Sequence, residues 1–323
     1  MAGVAEKLQS GDVRWLARAI TAAVEQAPEA EALLRAAYPH TGRALVVGLT
    51  GAPGAGKSTL ADGLAKAYRA AGETVGIVAV DPTSPFTGGA ILGDRIRMQE
   101  LHSDPGVFIR SLATRGAMGG LATAASEVVA LLDAAGKDRI LVETVGVGQD
   151  EVDIIKLADV TVVVLVPGMG DAVQTLKAGL MEIADIFVVN KADRGPERLE
   201  QELRAMLALA PHGREDWRPP ILKTVATSAS GVAELQQAIA TRLEWMEAHG
   251  GLRQFRARQW EERLRQFARQ RLADRLLTPL LSEERLRGLA RRVIEHGTDP
   301  FTAVDEVIAE ALAQPAAGRN PVS

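Results

Sequence analysis

The segment RALVVGLTGAPGAGKST, residues 43–59, decides how the rest of the chain folds. Its apolar run, Ala44 to Leu49, has the length of a strand and ends in a glycine-rich turn, and a segment with helical periodicity follows. The turn matches the pattern GxxxxGKS at residues 51–58. In such a turn the backbone N–H groups and the start of the helix attract an anion. The segment therefore predicts a strand, a phosphate-binding loop and a helix.

The loop predicts a nucleotide ligand as well as a backbone shape. Lys57 is placed to reach the β- and γ-phosphates, and the Ser58 hydroxyl is placed to bind Mg²⁺. The alternative is a glycine-rich turn with no ligand, but the flanking strand and helix and the Lys-Ser pair favour a nucleotide. The predicted phosphate contacts are Gly51, Ala52, Pro53, Gly54, Ala55, Gly56, Lys57, Ser58 and Thr59.

Composition limits the other classes of function. The 323 residues are 47% hydrophobic and 24% charged, with a formal net charge of −4, so nothing overall indicates nucleic acid. The chain has no cysteine, which excludes disulfides and thiolate metal sites, and its five histidines are scattered. The N-terminus does not resemble a signal peptide, and no apolar stretch has the length of a membrane span. We therefore expect a cytoplasmic protein that binds neither nucleic acid nor membrane.

The order of apolar and helical segments predicts three parts. Residues 1–43 indicate a helical extension, in which Asp12 caps a helix that runs to about Ala23. Residues 44–250 alternate strands and helices, which predicts an α/β P-loop domain with a mostly parallel sheet flanked by helices. Residues 251–323 return to helical patterns, with Ser282 as a cap. The predicted strands after the first are 74–80, 107–110, 140–144, 160–166, 186–189 and 221–225.

Acidic residues end two of the predicted strands. Ligands bind at the carboxyl ends of parallel strands, so Asp81 and Glu143 are candidates for holding Mg²⁺ directly or through water. Gly146, three residues after Glu143, can offer its N–H to the γ-phosphate. Each acid could instead be a turn-former or a satisfied strand-end carboxylate, but the nearby phosphate loop favours the metal role.

A second loop favours guanine as the base. The sequence NKAD at residues 190–193 follows a predicted strand, and the Asp193 carboxylate can accept both N1–H and the 2-amino group of guanine. Asn190 can tie this loop to the phosphate loop, and the stem of Lys191 can cover the base. After the next predicted strand, Ser228 and Ala229 belong to a segment that can offer a backbone N–H to guanine O6. GTP is therefore favoured over ATP.

Four segments together resemble the MeaB/ArgK/MMAA family of G3E-type P-loop GTPases. They are VAVDPTSPFTGGAILGDRIRM at 78–98, ETVGVGQ at 143–149, VPGMGDAVQTLKAG at 166–179, and NKAD. The resemblance covers about residues 10 to 310. It implies a chaperone of an adenosylcobalamin-dependent acyl-CoA mutase, chiefly methylmalonyl-CoA mutase, that controls cofactor loading and protects or reactivates the mutase. It also implies a homodimer formed by the C-terminal region.

The same resemblance assigns further residues. It places Asp94 with Ser58, Asp81 and Glu143 around Mg²⁺ and the γ-phosphate, and Lys57, Asp81, Asp94, Glu143 and Gly146 in the catalytic set. It also implies a third mobile loop within residues 167–177 that signals the nucleotide state. The residues of that loop are Gly168, Gly170, Asp171, Gln174 and Lys177.

Hydrolysis is expected to be slow in the isolated chain. Val147 follows Gly146, at the point where a Ras-like enzyme has its water-orienting glutamine, so we expect the mutase to stimulate turnover. Two other classes stay open. A metal-delivery GTPase would share the nucleotide site but should carry Cys or His ligands, and a P-loop kinase should tolerate ATP.

Overall fold

The computed structural model describes residues 2–81, 99–113, 121–144, 156–168, 181–209, 217–273 and 280–313. The chain forms two compact units, Met1–Arg256 and Ala257–Ser323. The three-part division at residues 43/44 and 250/251 stays a prediction. Within the described ranges, no helix is long and apolar enough to span a membrane.

The first unit is built on a seven-stranded sheet. The strands are β1 Leu45–Thr50, β2 Val75–Asp81, β3 Val107–Ala113, β4 Arg139–Thr144, β5 Val160–Leu165, β6 Ile186–Asn190 and β7 Ile221–Thr224. Their order in the sheet is β3-β2-β4-β1-β5-β6-β7, and β1, which leads into the phosphate loop, lies between β4 and β5. Every pair of neighbouring strands is parallel, which confirms the predicted α/β class.

Helices cover both faces of this sheet, which explains why the strands are almost wholly apolar. The helices from α1 to α9 are α1 Ala2–Gln9, α2 Val13–Val24, α3 Ala30–Ala37, α4 Lys57–Ala70, α5 Gln99–His102, α6 Leu121–Ala134, α7 Met181–Ile183, α8 Glu197–Leu209 and α9 Val232–Ala248. On one face of the sheet, alternate residues of the central strands pack against α4, and on the other face they pack against α6 and the N-terminal helices.

The N-terminal helices differ from the prediction in one respect. Asp12 caps α2 as expected, because its Oδ1 accepts hydrogen bonds from the backbone N–H groups of Arg14 and Trp15. Helix α1 was not predicted. Only Val4 and Leu8 give it an apolar face, which is too short a repeat to recognise in the sequence, and Leu8 is buried against the other helices.

The second unit contains two helices joined by a short connection. They are α11 Glu283–Ile294 and α12 Pro300–Ala313. Ser282 caps α11 by accepting a hydrogen bond from the N–H of Arg285, as predicted. Two ion pairs, Arg285 with Glu310 and Arg292 with Glu306, join the helices. Helix α10, Gly251–Leu272, precedes them, and its first turns belong to the first unit.

Candidate functional site

The loop between β1 and α4 needs glycine at two positions. A Cβ on Gly51, whose φ is +140°, would lie 2.0 Å from the carbonyl oxygen of Val164 on β5. A Cβ on Gly56, whose φ is +90°, would lie 2.3 Å from Nδ2 of Asn190. The first glycine therefore lets the loop pass over β5, and the second lets the loop meet the NKAD segment.

Lys57 begins α4 and is buried. Its Nζ donates hydrogen bonds to the carbonyl oxygens of Gly51 at 2.8 Å and Ala52 at 3.0 Å. The ammonium group therefore lies against the backbone of the phosphate loop. A cation in this place, beside the N-terminus of a helix, suits a bound phosphate.

Ser58 and Glu143 lie next to each other, although 85 residues separate them in the chain. The strands β1 and β4 are paired, with Leu49 opposite Glu143, so the end of β4 reaches the base of the phosphate loop. The Ser58 hydroxyl donates a hydrogen bond of 2.6 Å to Glu143 Oε1. A hydroxyl and a carboxylate are oxygen ligands of the kind that Mg²⁺ prefers, so this pair fits the metal role.

Asn190 connects three loops at the carboxyl end of the sheet. Its Nδ2 donates to the carbonyl oxygen of Ala55 in the phosphate loop, at 2.8 Å. Its Oδ1 accepts from the hydroxyl of Thr224 at 3.0 Å and from the N–H of Ala226 at 3.1 Å. The bonds to Ala55 and from Thr224 are buried, the bond from Ala226 is half-buried, and together the three fix which way the amide points.

Of the rest of the NKAD segment, Lys191 contacts the phosphate loop. Lys191 has a left-handed backbone, with φ of 55°, and its Nζ donates to the carbonyl oxygen of Gly54 at 2.9 Å. Asp193 lies in a short 3₁₀ turn, Ala192–Arg194, and is exposed. A second 3₁₀ turn, Ala226–Ser228, follows β7, and Ala229 after it has φ of 56°. Ser228 and Ala229 are exposed at the same end of the sheet.

Several predicted residues lie outside the described part of the chain. These residues are Asp94, Gly146, Gly170, Asp171, Gln174 and Lys177. Asp81 ends β2, which pairs with β4, but its side chain is outside the description. Gly168, the first of the residues named for the predicted third loop, has a left-handed backbone with φ of +83°.

Sequence reasoning missed two threonine contacts that the fold creates. Thr224 donates to Asn190, and the hydroxyls of Thr50 and Thr144 meet between β1 and β4. Each threonine is the last residue of its strand, and this is the only signal that the sequence carries. The partners could not be paired without the strand order.

A parallel sheet, a GxxxxGKS loop with its buried lysine, and an NKAD loop held to it by Asn190 together define a P-loop GTPase. The chain belongs to the MeaB family, because the family profile described as "Methylmalonyl Co-A mutase-associated GTPase MeaB" matches residues 16–279. It is therefore a GTPase that binds a guanine nucleotide.

Known relatives resemble this chain over most of its length. A protein of Pyrococcus abyssi that is named as a GTPase is 49% identical over 310 residues, which is 95% of each chain. The GTPase ArgK of Escherichia coli is 37% identical over 84% of each chain. The mouse protein "Methylmalonic aciduria type A homolog, mitochondrial" is 34% identical over 80% of this chain and 63% of its own.

The fold also matches a solved structure. A crystal structure described as "LAO/AO transport system kinase" has a TM-score of 0.71 and 27% identity, and the match covers 97% of both chains. This similarity covers both ends of the chain as well as the P-loop region.

Proposed function

We propose that the chain is a GTP-dependent chaperone of an adenosylcobalamin-dependent acyl-CoA mutase, with methylmalonyl-CoA mutase as the first candidate. In this role it controls cofactor loading and protects or reactivates the mutase. The name of the matching family, which describes a mutase-associated GTPase, supports the client. The name of the mouse relative refers to methylmalonic aciduria and points to the same acyl group.

The observation that carries the nucleotide-switch part of the proposal is the 2.6 Å hydrogen bond from Ser58 to Glu143. It brings a residue of the phosphate loop together with the acid that ends β4. The segment after Glu143 contains Gly146, which we assign to the γ-phosphate. A change at the last phosphate would then reach both the loop and the segment after β4.

Different residues of the site would bind the phosphates and the metal ion. Lys57, whose Nζ lies against the carbonyl oxygens of Gly51 and Ala52, would pair with the β- and γ-phosphates. Ser58 and Glu143, with Asp81 and Asp94, would hold Mg²⁺, which supplies positive charge for the phosphate oxygens when bound. Gly146 would donate its N–H to the γ-phosphate.

Base recognition falls to the NKAD loop. Asp193 is exposed, and its carboxylate can accept N1–H and the 2-amino group of guanine. Lys191, tied to Gly54, would cover one face of the base with its stem. Ser228 and Ala229 would offer a backbone N–H to O6.

Homodimerisation through the second unit is the next part of the proposal. Helix α12 leaves an apolar stripe exposed, consisting of Phe301, Val304, Ile308 and Leu312, with exposures from 40% to 82%. The adjacent face of the helix, which includes Val307, is buried. Spacings of three and four residues place the exposed stripe on one helical face. A second copy of the chain would cover it.

Single-turnover GTP hydrolysis tests the client. The purified chain is mixed with Mg²⁺ and GTP, with and without a saturating methylmalonyl-CoA mutase, and phosphate release is followed. We expect slow release alone and faster release with the mutase, because no glutamine directly follows Gly146 to orient water. The Lys57→Ala variant serves as the control and should show neither rate. Equal rates with and without the mutase would contradict the proposed partner.

A further inference from the structure

Two buried hydroxyl groups meet at the base of the phosphate loop. The Thr144 hydroxyl donates a hydrogen bond of 3.1 Å to the Thr50 hydroxyl oxygen. Thr50 is 1% exposed and Thr144 is fully buried. Thr50 ends β1 immediately before Gly51, and Thr144 ends β4 immediately after Glu143. The bond therefore joins the two backbone positions from which the phosphate loop and the segment 145–150 depart.

The pleat of the sheet gives this contact a direction. Leu49 and Leu141 pack into the core on the α4 face, whereas Val46 and Val142 pack into the core on the α6 face. Because neighbouring side chains alternate, Glu143 projects toward α4, where Ser58 meets it, and Thr144 projects toward the opposite face. The last two residues of β4 are thus held from both faces of the sheet.

Both bonds lead to residues that flank the same loop. On the α4 face, Glu143 accepts from Ser58, at the end of the loop. On the other face, Thr144 donates to Thr50, at the start of the loop. A rotation of the end of β4 about its own axis would break the threonine bond as it turned the Glu143 carboxylate away from Ser58. The threonine bond opposes that rotation.

The energetics favour a role in orientation over a role in stability. A buried hydroxyl is costly to desolvate, and a hydrogen bond between two neutral groups returns only about 1 kcal/mol net. Valine has nearly the same shape as threonine and would suit both positions, since the strands are otherwise apolar at 45–49 and 140–142. A pair of valines would keep the packing but leave the end of β4 without its directional bond.

We propose that Thr144, through Thr50, is a positioning residue for hydrolysis, because it holds Glu143 in the direction that serves the bound metal and the γ-phosphate. The inference rests on the proposed roles of Ser58 and Glu143. It adds a pair of residues that do not touch the nucleotide.

The experiment compares four variants of the full chain: Thr144→Val, Thr50→Val, Thr144→Ser and the control Thr161→Val. Thr161 is a buried threonine on β5, in the same sheet, and lies outside the proposed network. For each protein the kcat for GTP hydrolysis, the Kd for GDP without metal and the Mg²⁺ concentration for half-maximal hydrolysis are measured.

We expect Thr144→Val and Thr50→Val each to lower kcat or apparent Mg²⁺ affinity by about 10- to 100-fold, as loss of an outer-shell partner does elsewhere. Their Kd for GDP should stay within about twofold of the wild-type value, because the two threonines do not touch the nucleotide and its ground-state binding should not change. Thr144→Ser keeps the hydroxyl and should recover most of the rate. Thr161→Val should behave as wild type.

Three results would overturn the inference. The first is a wild-type kcat and Mg²⁺ dependence in Thr144→Val. The second is a loss of GDP binding in step with kcat, or an equal loss in Thr144→Ser, since either indicates a structural role. The third is an effect in Thr144→Val that Thr50→Val does not share. A failure of the proposed function would give a different result. In that case Ser58→Ala and Glu143→Gln would show the same Mg²⁺ dependence of hydrolysis as wild type.

Discussion

At the scale of single residues, the site depends on how closely its loops approach each other. Gly56 lies so near Asn190 that any side chain at position 56 would meet the amide that ties the NKAD loop to Ala55. Asn190 in turn depends on Thr224 and Ala226 for its orientation. One small residue therefore decides whether the phosphate loop and the base loop can hold the same ligand.

Gly56→Ala should lower the affinity for GDP by about 100-fold, which corresponds to the loss of about 2–3 kcal/mol of buried hydrogen bonding. The matched control is Gly72→Ala. Gly72 also has a positive φ, +83°, but a Cβ there would meet nothing within 4 Å. Both variants carry the backbone strain of a left-handed alanine, and only Gly56→Ala carries the collision. Calorimetry with GDP measures the difference, and similar affinities for the two variants would contradict the account.

At the scale of elements, the sheet depends on polar contacts at the end opposite the nucleotide. Asp159 precedes β5, is 2% exposed and accepts a hydrogen bond from the N–H of Val46. Arg256, near the start of α10, forms a two-bond ion pair with Asp159 and also donates to the carbonyl oxygens of Gly42 and Ala44. This one side chain fixes the beginning of α10 to the beginnings of β1 and β5.

Arg256→Leu should reduce the free energy of unfolding by about 2–4 kcal/mol, because it leaves the buried Asp159 carboxylate without its counter-charge. The double variant Arg256→Leu with Asp159→Asn removes that charge and should regain at least half of the loss. Urea unfolding of the three proteins gives the values. A double variant as unstable as the single one would show that packing of the arginine, and not the charge, is what matters.

Helix α6 carries a carboxyl group whose burial makes stability depend on pH. Burial raises the pKa of Glu127 from 4.5 to about 7. Between these two pH values the folded chain keeps the proton, whereas the unfolded chain has lost it. The free energy of unfolding therefore falls as pH rises from about 4.5 to about 7. The decline amounts to no more than about 3 kcal/mol.

Glu127→Gln removes the titration and keeps the size of the side chain. We expect the free energy of unfolding of wild type, relative to Glu127→Gln, to fall between pH 5 and pH 7 and then to level off. Thermal or urea unfolding at several pH values measures the difference. Parallel curves for the two proteins across this range would contradict the prediction.

Elements with a strong local signal could be predicted, and contacts between distant elements could not. The apolar runs predicted seven strands close to their observed bounds, and Asp12 and Ser282 marked the starts of α2 and α11. The sequence also predicted the phosphate loop, from Gly51 and Gly56, and the base-binding loop, from the NKAD segment. Thr50 and Thr144 are 94 residues apart in the chain, and they meet because β4 lies beside β1. The alternation of side chains along a strand does not reveal which strands are neighbours, so this contact could not be predicted.

At the scale of the whole molecule, the exposed apolar residues gather in the second unit. Phe301 and Leu312 on α12 are 82% and 74% exposed, and Ile294 on α11 is 77% exposed. Apolar residues that form a continuous stripe usually mark an interface. This distribution is the basis of the proposed homodimer, in which the second unit would form the contact between two copies of the chain.

The double variant Phe301→Asp with Leu312→Asp should shift the protein from dimer to monomer, because each aspartate would have to be buried unpaired in the interface. Val13→Asp is the control, since Val13 is 49% exposed on α2 in the first unit. Sedimentation velocity gives the mass, and GDP binding shows that the first unit has kept its fold. A monomeric wild type, or a dimeric double variant, would refute the proposed interface.

Recognition of guanine by the loop above the phosphate loop is the central claim, and Asp193 tests it most directly. Calorimetric titrations of wild type and Asp193→Asn with GDP and with xanthosine diphosphate, in Mg²⁺, measure the base preference. Wild type should prefer GDP, and Asp193→Asn should prefer xanthosine diphosphate, because an amide can donate to the oxygen that replaces the 2-amino group. An unchanged preference for GDP in Asp193→Asn would contradict the assignment of this loop to the base.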